Sequence, residues 1–222
     1  MTIGFVLRPL SYAGFTALGL GLIGDLLSIV GVILAIIGRK PFGQKHSHYT
    51  IYSMIIYLAG GVATTVGTFA LVFAEVSIVL NRTSLSAQQQ AVTSAYNEML
   101  IGGLVGWGLI GVAFSLFTYA LQSSTGRWLL YGAYAAIVAV YGFVFYVIIP
   151  QVSSAVSLAF SNGAYNPAPI RALLAQQQQL DLLAFIPAII YAIAYYRVYQ
   201  RIAKGEVPVF NPQSILSSHG AL

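Results

Sequence analysis

The side chains able to do chemistry are few: among 222 residues the chain has five acidic residues, three histidines and no cysteine. Asp25 is the one carboxylate near the middle of a long uncharged run, where an ionisable group is expensive and is a functional candidate by default. Two roles fit it. As a neutral acid it would donate a hydrogen bond to a neighbouring helix; as a titrating group it would relay a proton or a cation. Glu75 and Asp181 fall near the ends of apolar runs, where an interfacial capping role is expected, with Arg82 or Arg171 as a partner for either. Tyr57, Tyr141, Tyr146 and Tyr191 lie deeper, and each hydroxyl needs a partner there. Asp25, Glu75, Tyr141 and Tyr191 are therefore the intramembrane polar candidates.

The histidines narrow the chemistry further. His46, His48 and His219 all lie outside the apolar runs, so no run supplies the paired imidazoles of a membrane haem. The His46 and His48 pair lacks neighbouring carboxylates or thiols for a metal and reads as a polar turn. Neither a nucleophilic triad nor a phosphate-binding glycine loop is evident, and without cysteine there are no thiolate sites. The expectation is a protein without catalytic residues, metal or cofactor.

The elements that would position these side chains follow from composition. Charged residues make up 7% of the chain and apolar ones 58%, whereas a soluble domain has about 25% charge. This predicts an all-α polytopic transmembrane bundle. Five runs meet the requirement of about 20 apolar residues for a crossing, near 12–37, 49–80, 99–121, 128–150 and 180–199. Arg39, Lys40, Lys45, Arg127, Arg197, Arg201 and Lys204 gather on one face, against Arg8, Arg82 and Arg171 on the other. By the positive-inside rule the first group is cytoplasmic, which puts the N-terminus outside and the C-terminus inside. Tyr12, Tyr49, Tyr52, Trp128, Tyr131, Tyr196 and Tyr199 fall at the predicted interfaces as an aromatic belt. The first residues, MTIGFVLRPLSYAGF, lack a basic leader and cleavage site and are expected to be retained. With its basic residues divided among the connections, the chain offers no patch for nucleic acid.

The outer connections, 81–97 and 151–179, are built from Gln, Ser, Asn, Thr and Ala. They either extend helices above the bilayer, since Gln is a good helix former, or adapt the surface to an acidic exterior. From Pro167 and Pro169 to Gly205 the chain reads as one helix on the order of 50 Å long, with a kink at Pro187. The tail, 206–222, has two prolines and no helical period, and is expected to be an extended segment suited to docking a partner.

Shifting the chain by 82 residues places Gly21 on Gly103, Gly24 on Gly106, Tyr49 on Tyr131 and Gly60 on Gly142. This suggests a parallel duplication of a helical hairpin, with Asp25 falling on Trp107, so the two halves are not equivalent. Small residues let membrane helices approach closely. Gly21, Gly24, Gly102, Gly103, Gly106, Gly108 and Gly111 are accordingly expected on packing faces. Asn81, in the triplet Asn81-Arg82-Thr83, is a glycosylation candidate on the predicted outer face.

The runs GLGLIGDLLSIVGVILAIIGRKPF and AFSLFTYALQSSTGRWLLYGAYAAIV resemble, over about residues 15–150, an archaeal family of multi-pass membrane proteins of unknown function. The turn Ser124-Thr125-Gly126 is the most specific part of the likeness. The resemblance implies an archaeal cell-membrane protein and brings no activity or catalytic residues. The expected function is a non-catalytic subunit or scaffold of a larger membrane assembly, in contact with lipids and with other subunits or further copies of itself. The alternative is a small transporter or channel with Asp25 as its proton or cation site.

Overall fold

A computed structural model describes residues 30, 31, 33, 34, 36–80, 84–161, 163 and 165–207. The described residues are helical throughout, without strands. The described positions between Val30 and Gly38 are helical, and a 3-10 turn, Lys40–Phe42, leads into α1, Gln44–Leu80. Then follow α2, Leu85–Tyr119, and α3, Ser124–Ala159. The last arm is α4, Ala168–Asp181, a 3-10 turn at Leu182–Ala184, and α5, Phe185–Ala203. Four helical segments, Gln44–Ala74, Leu85–Tyr119, Ser124–Ala159 and Ala168–Ala203, are long and apolar enough to cross a membrane. They correspond to the second to fifth predicted spans; most of the first lies outside the described residues.

The helices run well past the predicted boundaries at the end rich in Gln. There 85–98 belongs to α2, 151–159 to α3 and 168–181 to α4, so the outer stretches extend helices beyond the apolar runs, the first of the two readings the sequence offered. Each start has a local cause. Ser84 accepts a hydrogen bond from the Ala87 amide at 3.4 Å, Ser123 from Gly126 at 3.3 Å, and the Asn166 side chain from Ala168 at 3.0 Å. Pro150, taken from the sequence as the end of a span, lies inside α3. It withholds the N–H that would bond the Tyr146 carbonyl, and the adjoining Gln151 side chain donates to the Val147 carbonyl at 2.8 Å.

The expected kink is a tightened turn. Pro187 has no N–H to offer Leu183 and its ring crowds that carbonyl, and the α-helix gives way to 3-10 geometry at Leu182–Ala184 immediately before it. The arm ends where the glycine signal put it. Gly205 has φ 71°, its N–H bonds the Ile202 carbonyl at 3.0 Å, and the Glu206 N–H bonds Arg201 at 2.9 Å. This is a Schellman cap, which needs a left-handed residue at the glycine position. Val207, the last described residue, is buried beside Leu121 and Val198, so the start of the tail packs on its own bundle.

α2 is central: antiparallel to α1 and α3, and parallel to the α4 and α5 arm. α1 packs chiefly on α2 among the long helices, whereas α3 packs on α2, α4 and α5. One core, including Tyr96, Val152 and Ile170, fills the Gln-rich end. A second, including Ile110, Phe114, Ile137 and Tyr191, fills the middle. Exposed Tyr52, Trp128, Tyr131, Tyr196 and Tyr199 ring the opposite, arginine-bearing end, as an interfacial aromatic belt would.

Candidate functional site: a cavity beside a glycine seam

The seam between α1 and α2 is made of small residues. A methyl group built on Gly102 would sit 2.7 Å from the Ala63 carbonyl, and one on Gly67 would sit 2.8 Å from the Met99 Cα. One on Gly60 would lie 2.7 Å from the Gly106 carbonyl, and one on Gly106 at 2.7 Å from the Gly60 carbonyl. Backbones this close leave no room for Cβ atoms, so Gly102 and Gly106 are packing glycines, as the sequence suggested. Gly111 packs instead against Tyr134 and Ile137 of α3. Gly103 and Gly108 meet nothing within 4 Å and are not packing positions. Gly142, the counterpart of Gly60 in the expected duplication, also meets nothing. Gly21, Gly24, Asp25 and Asn81 lie outside the described residues.

Gly103 has no neighbour because it faces a cavity of about 430 Å³ beside this seam. One wall is α1, with Thr64, Thr65 and Thr68. Their hydroxyls donate back to their own helix: Thr64 and Thr65 to the Gly61 carbonyl at 2.8 and 2.7 Å, and Thr68 to Thr64 at 3.0 Å. Opposite stand Trp107 of α2 and Tyr141 of α3, stacked with ring centroids 5.0 Å apart and planes 8° from parallel. Leu100, Leu104 and Val144 supply apolar lining, and α4 brings Gln177 and Asp181. Gln177 accepts from the Tyr96 hydroxyl at 3.2 Å.

Asp181 is expected from the sequence to be an interfacial cap. It occupies the N-cap position of the 3-10 turn but makes no capping hydrogen bond. It is half-buried and forms no ion pair or hydrogen bond among the described residues. Arg171, an expected partner, is exposed, and Arg82 lies outside the described residues. The break at Pro187 ends α4 at Asp181, beside the cavity. The Glu75 backbone is helical, in the last turns of α1.

The deep tyrosines divide. Tyr141 lines the cavity, and Tyr146, expected to seek a partner inside the bundle, is exposed instead. Tyr191 donates to the Gly111 carbonyl at 2.8 Å and its hydroxyl lies 2.9 Å from that of Ser115. Tyr195 donates to the Phe114 carbonyl at 2.7 Å, Arg201 reaches the Leu121 carbonyl, and Gln122 donates to Ala194 at 2.9 Å. These bonds fasten α5 to α2, a structural use of polar groups in an apolar surrounding. A Cβ on Gly126 of the Ser124-Thr125-Gly126 turn would fall on the amide end of the Gln122 side chain, which the Ala194 carbonyl holds.

His46 is buried in the first turns of α1, its Nε2 3.4 Å from the Thr50 hydroxyl, while His48 is exposed. Two residues apart on a helix, they do not share a face. Among the described residues no group of three or more His, Asp or Glu side chains could hold a metal ion. A second hollow, of about 550 Å³, lies between α2 and α3 at the Gln-rich end and includes Gln90, Asn97 and Ser153. It is lined by amides and hydroxyls, without charged or aromatic side chains.

Fold and site together define a protein whose described residues form four helices able to cross a membrane, with a half-open hollow between them. No protein-family model, curated protein or solved structure matches the chain.

Proposed function

We propose that this chain is a non-catalytic integral subunit or scaffold of a larger membrane assembly. The observation that carries the reading is the open face of α1. Ile55, Leu58, Val62, Val66, Phe69 and Phe73 recur every three or four residues and are all exposed. Only 17% of the most apolar window of α1 is buried, against 33% in each of the other three segments. A helix that packs chiefly on one neighbour, with an a/d-like stripe left over, is shaped to receive a further helix. One such helix is the chain's own first predicted span, near 12–37, which directly precedes α1; in this reading the further helices come from other subunits or from a second copy, with lipid filling the remainder.

The topology that goes with it has five spans in the cell membrane, the first near 12–37, and the arginine-bearing end in the cytoplasm. Asn81 would then be outside, and the resemblance noted above makes the membrane an archaeal one. Gentle detergent extraction from native membranes, followed by mass determination of the intact particle, tests the proposal. Recovery in a stable complex with further subunits or copies is the expected result, and a lone monomer would overturn it.

A further inference from the structure

We propose that the cavity between α1, α2, α3 and α4 binds an amphipathic organic cation, a primary alkylammonium whose charged head meets Asp181 and whose apolar body lies against Trp107 and Tyr141. The inference is independent of the scaffold reading. It rests on the balance of donors and acceptors around the hollow. The hydroxyl protons of Thr64, Thr65 and Thr68 are committed to helix carbonyls, so these side chains turn only oxygen lone pairs to a ligand. The Asp181 carboxylate has no hydrogen-bond or ion-pair partner among the described residues. Gln177 also brings an amide donor to the lining, but the three hydroxyls and the carboxylate leave acceptors in excess, so the hollow asks for hydrogen-bond donors, and for positive charge in particular.

The remaining lining selects the rest of the ligand. A carboxylate held among apolar groups is costly unless a cation accompanies it. The face of an aromatic ring also attracts cations. Leu100, Leu104 and Val144 favour an apolar chain over a hydrated metal ion, and about 430 Å³ holds a small organic molecule. A neutral lipid or quinone would leave the carboxylate uncompensated, and an organic anion would be repelled.

The protein carries its own reporter. There are two tryptophans, Trp107 in the cavity and Trp128, exposed at the opposite end. In the full chain carrying Trp128→Phe, reconstituted in lipid nanodiscs, Trp107 emission is followed during titration with hexylammonium, with hexanol as the uncharged probe of similar length. The expected result is a saturable change with hexylammonium at concentrations at least tenfold below any change with hexanol. Asp181→Asn, which keeps shape and loses charge, should weaken the response at least tenfold. Thr68→Val, which removes one exposed acceptor, should weaken it several-fold and stands in if the first variant does not fold. Equal responses to amine and alcohol, no saturable response to the amine, or unchanged affinity in a folded variant would each overturn the proposal.

Discussion

The two sides of α2 are held by different physics. Toward α1 the contact is a glycine seam in which Gly60 and Gly67 meet the backbone around Gly106 and Met99, with a cross-helix clamp in which Ser53 donates to Ala113 at 2.7 Å. Toward α5 the contact is made by long side chains, Tyr191, Tyr195 and Arg201, each reaching a carbonyl of α2 or of the turn just after it. Where water is absent, close backbone approach and hydrogen bonding are the two ways to join helices. The seam depends on what is missing from its residues, the arm on what its residues carry. A seam should therefore fail abruptly when one atom is added, and a clamp gradually when one is removed.

The largest effect should come from adding that atom. Gly106→Ala places a methyl 2.7 Å from the Gly60 carbonyl and against the Thr64 side chain, both on α1. Overpacking of this kind typically costs about 1–3 kcal/mol, and rigid backbone on one side points to the upper part of that range. Unfolding by graded addition of sodium dodecyl sulfate should show the loss, and hydrogen exchange should rise in α1 while α3 and α5 stay protected. Equal exposure of all the helices would mean that the seam is not a separate joint.

Removing one clamp should do less. Tyr191→Phe deletes the hydroxyl that meets Gly111 and Ser115, and hydrogen bonds between membrane helices average about 0.6 kcal/mol. A loss of that size in the same unfolding assay is expected, with a nearly additive loss when Ser53→Ala is combined with it, since the two clamps lie on opposite sides of α2. Losses above about 2 kcal/mol for Tyr191→Phe would show that the hydroxyl does more than hold the arm.

Much of this comparison was legible in the sequence, and the part that was not has physical reasons. Uncharged runs located the four helices, and glycine density marked the α2 seam. That 81–97 and 151–179 extend helices beyond the apolar runs was legible from their Gln and Ala, which favour helix, but their lack of a hydrophobic period hid where each helix starts, which Ser84 and Asn166 fix. Pro150 read as a terminus because proline removes a helix hydrogen bond, and sequence alone does not show that the helix continues through it. The position of Asp181 beside a hollow was hidden because that hollow also needs threonines more than 100 positions earlier and the 3-10 turn before Pro187. Asp25, the carboxylate that sequence favoured, lies outside the described residues.

The smallest effect separates position from residue type. Gly103 and Gly106 belong to the same glycine-rich stretch, and sequence gave no reason to treat them differently. Three residues apart on a helix they point about 60° from one another, because each residue turns the helix by about 100°. That rotation carries Gly103 off the seam and onto the cavity, where an added methyl meets nothing within 4 Å. Gly103→Ala should therefore reverse the sign found at Gly106, because alanine relieves the entropic cost of glycine in a helix without a clash. A gain of about 0.5 kcal/mol, the low end of that exchange in helices, is expected in the unfolding assay. A loss comparable to that of Gly106→Ala would mean that the cavity closes in the membrane and that the seam extends one residue further around α2.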